Sequence, residues 1–318
     1  MKPQIEKIET GCRKFLGSAQ TVTETFLNVK DAGEIKVLTI NARPYSVTGE
    51  NLSGEAEYNG KLGMKAIVAD ADGNVSGLSY TADFGGTFKN AAVSPDVKLD
   101  FAPFVVDLSY KTDGGVYVRC VVETRVYSEN RQCAEVLGGC DGVECLMKNV
   151  ETARLKASAD TSFAVSDEIE VKHRIGKILM AQSDAVISSA ECGDGLVKVK
   201  GCVYTCVTYQ AGESDIRSVM AETPFDEELP AEGCSADCAV RAAVGGVNTR
   251  IRMEIAEEGE NRTFTAEMTV SVSVRCFDTV SVDVVSDAFS VSDELEIVSE
   301  TFTDCVPRDY FVVAGNAG

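Results

Sequence analysis

The chain has 318 residues, with 30 Lys and Arg against 50 Asp and Glu, one His, twelve Cys and no Trp. A net charge of −20 argues against recognition of nucleic acid or anionic lipid through a broad basic face. No run approaches the ~18 uninterrupted apolar residues of a bilayer-spanning helix, and residues 1–9 carry no apolar signal core, so cytoplasmic synthesis without a signal peptide and without membrane insertion is expected.

In chain order, residues 1–19 read as an N-terminal leader and 20–130 as a first β-domain. Within that domain Ala56, Tyr58, Gly60, Leu62, Met64, Ala66 and Val68 alternate with polar or exposed neighbours, the period of a half-buried strand. Val116, Val118, Cys120, Val122 and Val126 make a second such run, and Asp72-Gly73-Asn74 and Asp113-Gly114-Gly115 supply turns. Residues 131–159 form a Cys-bearing connector, where Val143, Leu146, Met147 and Val150 share one face of a short predicted helix over 142–150. Residues 160–282 form a second β-domain, with strand runs at Val197, Val199, Gly201, Val203, Thr205, Val207 and Tyr209 and at Met268, Val270, Val272 and Val274. Residues 283–318 are a C-terminal extension.

The two domains repeat one another. A shift of 141 positions aligns 34–84 with 175–225 without a gap, with identities at Lys36/Lys177, Leu38/Leu179, Glu50/Glu191, Gly54/Gly195, Gly60/Gly201 and Phe84/Phe225. A second echo pairs 163–171 with 289–297. The expected fold is all-β: two tandem antiparallel β-sandwich-like domains related by an internal repeat, with at most a short helix in the connector.

The side chains ask for little chemistry. His173, the only histidine, lies between Lys172 and Arg174 and reads as a partly exposed strand-end residue. No G-x-S-x-G, Walker A or H-E-x-x-H motif occurs. No catalytic, cofactor-binding or metal site is expected. Asp70-Ala71-Asp72-Gly73-Asn74 has its glycine in the wrong place for a calcium loop and fits a hairpin turn better. Cys234 and Cys238 could meet only if their loop curled, and a structural zinc is the minority reading. The acidic runs 226–228 and 257–258 read as solvated loop faces. The remaining question is the cysteines. Cys120, Cys202 and Cys206 suit small apolar core positions, whereas the loop and terminal residues Cys12, Cys133, Cys140, Cys145, Cys234, Cys238 and Cys305 are placed to cross-link chains.

The second half resembles the SPOCS-domain family of clostridial spore-envelope and spore-morphogenesis proteins. The resemblance rests on Val165-Ser166-Asp167-Glu168-Ile169-Glu170-Val171, Ile175-Gly176-Lys177-Ile178-Leu179, Gly193-Asp194-Gly195-Leu196-Val197-Lys198-Val199-Lys200-Gly201, Tyr209 and Glu222-Thr223-Pro224-Phe225. The tail after Cys305 is too short for the LysM module that many relatives carry, so a glycan-binding role resting on that module is not implied. The resemblance implies a non-enzymatic structural or adaptor role on the forespore or spore surface, with self-association or other spore-envelope proteins as partners. The alternative is a monomeric module binding a cell-envelope glycan or peptide, which calls for a concave aromatic patch.

Overall fold

Apolar residues at every second position bury one face of a strand, and two such faces must meet to leave water. In the computed structural model, which describes residues 3–29, 34–212, 215–253 and 261–290, the chain does this twice. The first unit comprises β1 (Pro3–Leu27), β2 (Lys36–Asn51), β3 (Glu55–Ala69), β4 (Val75–Lys89), β5 (Lys98–Thr112) and β6 (Val116–Cys140). The second comprises β7 (Glu144–Glu170), β8 (Lys177–Cys192), β9 (Leu196–Ala211), β10 (Asp215–Pro230), β11 (Ala239–Arg252) and β12 (Thr263–Phe289). Each unit packs two three-stranded antiparallel sheets, ordered β1-β6-β5 against β2-β3-β4 and β7-β12-β11 against β8-β9-β10. The fold is all-β, and the described residues contain no helix.

Two central strands face each other in each core. Tyr58, Leu62, Met64, Ala66 and Val68 of β3 meet Val116, Val118, Cys120, Val122 and Val126 of β6. Val197, Val199, Val203, Val207 and Tyr209 of β9 meet Phe264, Met268, Val270, Val272, Val274 and Cys276 of β12. Each fully buried side chain of this size contributes about 1.5–3 kcal/mol. Proline removes a ladder donor, so it belongs on edges. Pro44 (β2), Pro103 (β5), Pro224 and Pro230 (β10) all occupy edge strands, and the central strands β3, β6, β9 and β12 have none.

Three of the repeat identities have a steric reason. Gly54 and Gly195 take positive φ, +82° and +74°, in the turns that follow β2 and β8. Gly60 and Gly201 pair across the ladder with Phe84 and Phe225, both buried. A Cβ on Gly60 would stand 2.6 Å from the Phe84 ring, and one on Gly201 2.4 Å from the Phe225 ring. The ring lies where the glycine lacks a side chain. The Asp70 turn is also as expected: Asp70 Oδ1 accepts the N–H groups of Asp72 (3.0 Å) and Asn74 (2.8 Å).

The expected helix over 142–150 is a strand. β7 begins at Glu144, and its ladder with β12 runs through Leu146↔Asp287 and Val150↔Val282. The helical spacing misleads because the stripe does not face a core: Leu146 is 64% and Met147 42% exposed. Strands also run through the boundaries drawn from sequence. β1 starts at Pro3 and pairs with β6 out to Cys140, and β6 and β7 together fill most of 131–159. Cys120 is buried as expected, but Cys202 and Cys206 are only half-buried on β9. They sit out of phase with Val203, Thr205 and Val207, so they belong to the outer face.

Three substitutions test this packing. A Cβ on Gly201 would also meet the Val186 carbonyl oxygen at 2.1 Å, and backbone cannot yield as a ring can. Gly201→Ala is therefore expected to cost at least about 1–3 kcal/mol, and more than Gly60→Ala, in urea unfolding; equal losses would refute the carbonyl argument. Thr124, fully buried in β6, has an Oγ1 without a hydrogen-bond partner, and the corresponding position in β12 is Val272. Thr124→Val is expected to raise stability by about 1 kcal/mol in the same measurement.

Candidate functional site

The densest chemistry lies at one end of the second unit. After β10 the chain makes two successive tight turns, with Cys234 N donating to Ala231 O (3.0 Å) and Cys238 N to Ser235 O (2.9 Å). The curl is pinned to the β8–β9 turn: Gly195 N donates to Cys234 O and Ala231 N to Gly195 O, both at 2.9 Å. This sets Cys234 beside Cys192, the last residue of β8, while Cys276 arrives from β12 in the opposite sheet. The sulfurs of Cys192, Cys234 and Cys276 all lie within 4.8 Å of one another. Burial pushes the thiol of Cys192 up and that of Cys276 up to about 12, and hydrogen bonding to Cys234 acts in the same direction on both. At neutral pH these groups are protonated thiols and poor nucleophiles. Cys238 Sγ stands 3.4 Å from Ser235 Oγ, which accepts a hydrogen bond from Lys156 Nζ at 3.0 Å.

This corrects part of the cysteine reading. Cys234 and Cys238 are 5% and 7% exposed, so they face the core rather than a neighbouring chain. The loop that looked accessible had to curl inward to satisfy its own backbone. Cys140 and Cys145 flank the β6–β7 turn as half-buried free thiols. Cys12 lies in β1 opposite Asn130, and Cys133 lies in β6 opposite Glu9. Cys305 falls outside the described residues. Cys192 and Cys276 were missed as site residues. The signal for Cys276 was its place in the inward phase of Met268, Val270, Val272 and Val274; Cys192 gave none beyond its position at a strand end.

The other notable place is the junction of the two units. Arg43 of β2 forms a bidentate pair with Asp184 of β8 (Nη2 to Oδ2, 3.0 Å), and Lys65 Nζ donates to the Ala181 carbonyl. Burial, with Arg43 nearby, lowers the Lys65 pKa. Asp160 receives Lys98 (3.3 Å) and Arg275 (2.9 Å) at the edge of a cleft of about 690 Å³. That cleft is lined by Glu50, Lys98, Asp100, Phe101, Asp160 and Arg275 among others, with Phe101 its one aromatic. His173 is exposed in the bend before β8.

Residues 174–252 match the family model described as SipL, SPOCS domain. That segment runs from just before β8 to the end of β11, and so contains one whole sheet, the curled loop and the strand after it. The second half of this tandem β-sandwich protein therefore carries a match to the SPOCS domain, the family its sequence resembles. No curated protein and no solved structure matches the chain.

Contact between the units has one unforgiving point. A Cβ on Gly77 of β4 would lie 1.9 Å from the Leu179 carbonyl oxygen of β8. Gly77→Val is expected to part the units while leaving each sandwich folded. X-ray scattering should show a larger radius of gyration with an unchanged circular dichroism spectrum; an unchanged radius would show that the junction is not held there.

Proposed function

We propose that this is a sporulation protein, acting as a non-enzymatic assembly component of the spore envelope through protein–protein contacts and intermolecular disulfides. The SPOCS match at 174–252 carries the reading, since it supports a sporulation-related protein. Its partners are further copies of itself or other envelope proteins on the forespore surface, to which it is delivered from the cytoplasm. Two features favour assembly. Cys140 and Cys145 sit at a turn, half-buried and free, where a thiol reaches a neighbour more easily than one in a core. The strands around that turn leave Ile5, Leu146, Met147 and Phe289 exposed, apolar area that a partner would cover. A charge of −20 restrains association until a partner or covalent link offsets it. The prolines on β2, β5 and β10 argue against open-ended strand addition at those edges.

A second reading, a glycan- or peptide-binding adaptor, draws on two aromatic pairs along β1 and β6, in which Phe15, Phe26 and Tyr117 are exposed and Tyr127 is half-buried. Phe26 and Tyr117 have ring centroids 4.6 Å apart, and Phe15 and Tyr127 5.4 Å. One measurement separates the two. Light scattering of the oxidised protein should give assemblies that fall apart on reduction, and Cys140→Ser with Cys145→Ser should prevent them. A 33.9 kDa monomer under every condition would overturn assembly and favour the adaptor.

A further inference from the structure

The two units provide an internal control for the thiol cluster. Their backbones match turn for turn at this end. Gly54 N donates to Val93 O as Gly195 N does to Cys234 O, both at 2.9 Å, and Val97 N donates to Ser94 O (3.1 Å) as Cys238 N does to Ser235 O (2.9 Å). The ladders match as well, since Leu99 pairs with Ser128 where Val240 pairs with Cys276. The positions of Cys192, Cys234, Cys238 and Cys276 are thus held in the first unit by Asn51, Val93, Val97 and Ser128. Val93 and Ser128 are buried, and Asn51 donates to the Val97 carbonyl. The same scaffold closes there without a single thiol. Packing therefore does not demand cysteine at any of the four places, yet the second unit has it at all four.

We propose that Cys192, Cys234, Cys276 and Cys238 form a structural thiolate site for a soft divalent cation of the zinc class. Sulfurs bound to one tetrahedral ion at ~2.3 Å stand about 3.8 Å apart. Three of these sulfurs already lie within 4.8 Å of one another, so small rotations about their χ1 bonds would bring them to an ion. Cys238 supplies the fourth donor in this proposal: it is buried in the same curl, four residues after Cys234, with its N–H turned back on the Ser235 carbonyl. An all-sulfur set selects zinc over magnesium or calcium, which take oxygen. Four protein ligands leave no open position, so the site holds structure and does no catalysis. Binding converts four thiols and one divalent cation into a tetrathiolate complex and releases four protons, with no change of oxidation state. The complex carries two negative charges, and Lys156, which donates to Ser235 beside Cys238, is the nearby cation to offset them. The ion would tie the end of β8, the curled loop and β12, joining the two sheets of one sandwich. This inference does not depend on the spore-envelope reading.

The test uses the full chain, reduced, stripped with chelator and titrated with Co²⁺ and then Zn²⁺. One equivalent of cobalt should give tetrahedral d–d absorption with thiolate charge-transfer bands. Zinc should displace it and raise the midpoint of thermal unfolding, and lowering the pH should release the metal. The variant carrying Cys192→Asn, Cys234→Val, Cys238→Val and Cys276→Ser takes the first unit's residues. It should keep its strand circular dichroism and lose both the cobalt bands and the zinc-induced thermal shift. Persistence of the bands in that variant would overturn the site by placing the metal on other cysteines. Should the variant fail to fold, the wild-type titration decides alone: no thiolate bands with all thiols titratable overturns the proposal. A disulfide among these four residues, mapped by mass spectrometry of protein purified without reductant, would overturn it too.

Discussion

A Cβ on Gly60 or Gly201 would fall against the ring of Phe84 or Phe225, so each central strand can be covered by its neighbour only where its own side chain is missing. This fit fixes the register of β3 with β4 and of β9 with β10. A slip of one residue would set the ring against a side chain and turn every inward residue outward. With those ladders fixed, the buried faces of β3 and β9 are defined, and β6 and β12 have a surface to cover. The glycine–phenylalanine pairs are among the few identities that survive between the units because many side chains can fill a sandwich core, but few can fill that gap.

Sharing a backbone, the two units differ in what they place on it. Met64 and Cys120 fill the middle of the first core, whereas Thr205 and Met268 occupy the matching places in the second. There Thr205 Oγ1 contacts Met268 Sδ at 3.1 Å and lies 2.8 Å from Ser183 Oγ. The first unit instead leaves the Thr124 hydroxyl without a partner. At the loop end, valines, serine and asparagine in one unit face four cysteines in the other. The fold tolerates such exchange, and the SPOCS match falls on the unit with the thiols.

How far the sequence could be read depended on whether a property was local. Inward phase was legible for 56–68, 116–126, 197–209 and 268–274, because alternation is written into consecutive residues. The turns at Gly73 and Gly114 were legible because positive φ leaves few residues to choose from. The segment 142–150 deceived because four apolar residues at helical spacing lie in a strand whose partner, β12, is over a hundred residues away in sequence. The thiol cluster was hidden for the same reason, since Cys192, Cys234 and Cys276 come from three elements and two sheets. Cys202 and Cys206 were legible in principle: counting by twos from Val197 leaves both on the other face.

The pairing of the first strand of each unit with the last has a consequence in time. Pro3 waits for Cys140, and Glu144 for Phe289, so neither sandwich can close until its final strand exists. On a ribosome adding ~5–20 residues per second, β1 would spend several seconds or more as an unpaired strand, with its future partner not yet made. The three-stranded meanders β2-β3-β4 and β8-β9-β10 need only short hairpins and can form in that interval. Each nascent unit is then half a sandwich with its apolar face open, the state in which chaperones would meet this chain.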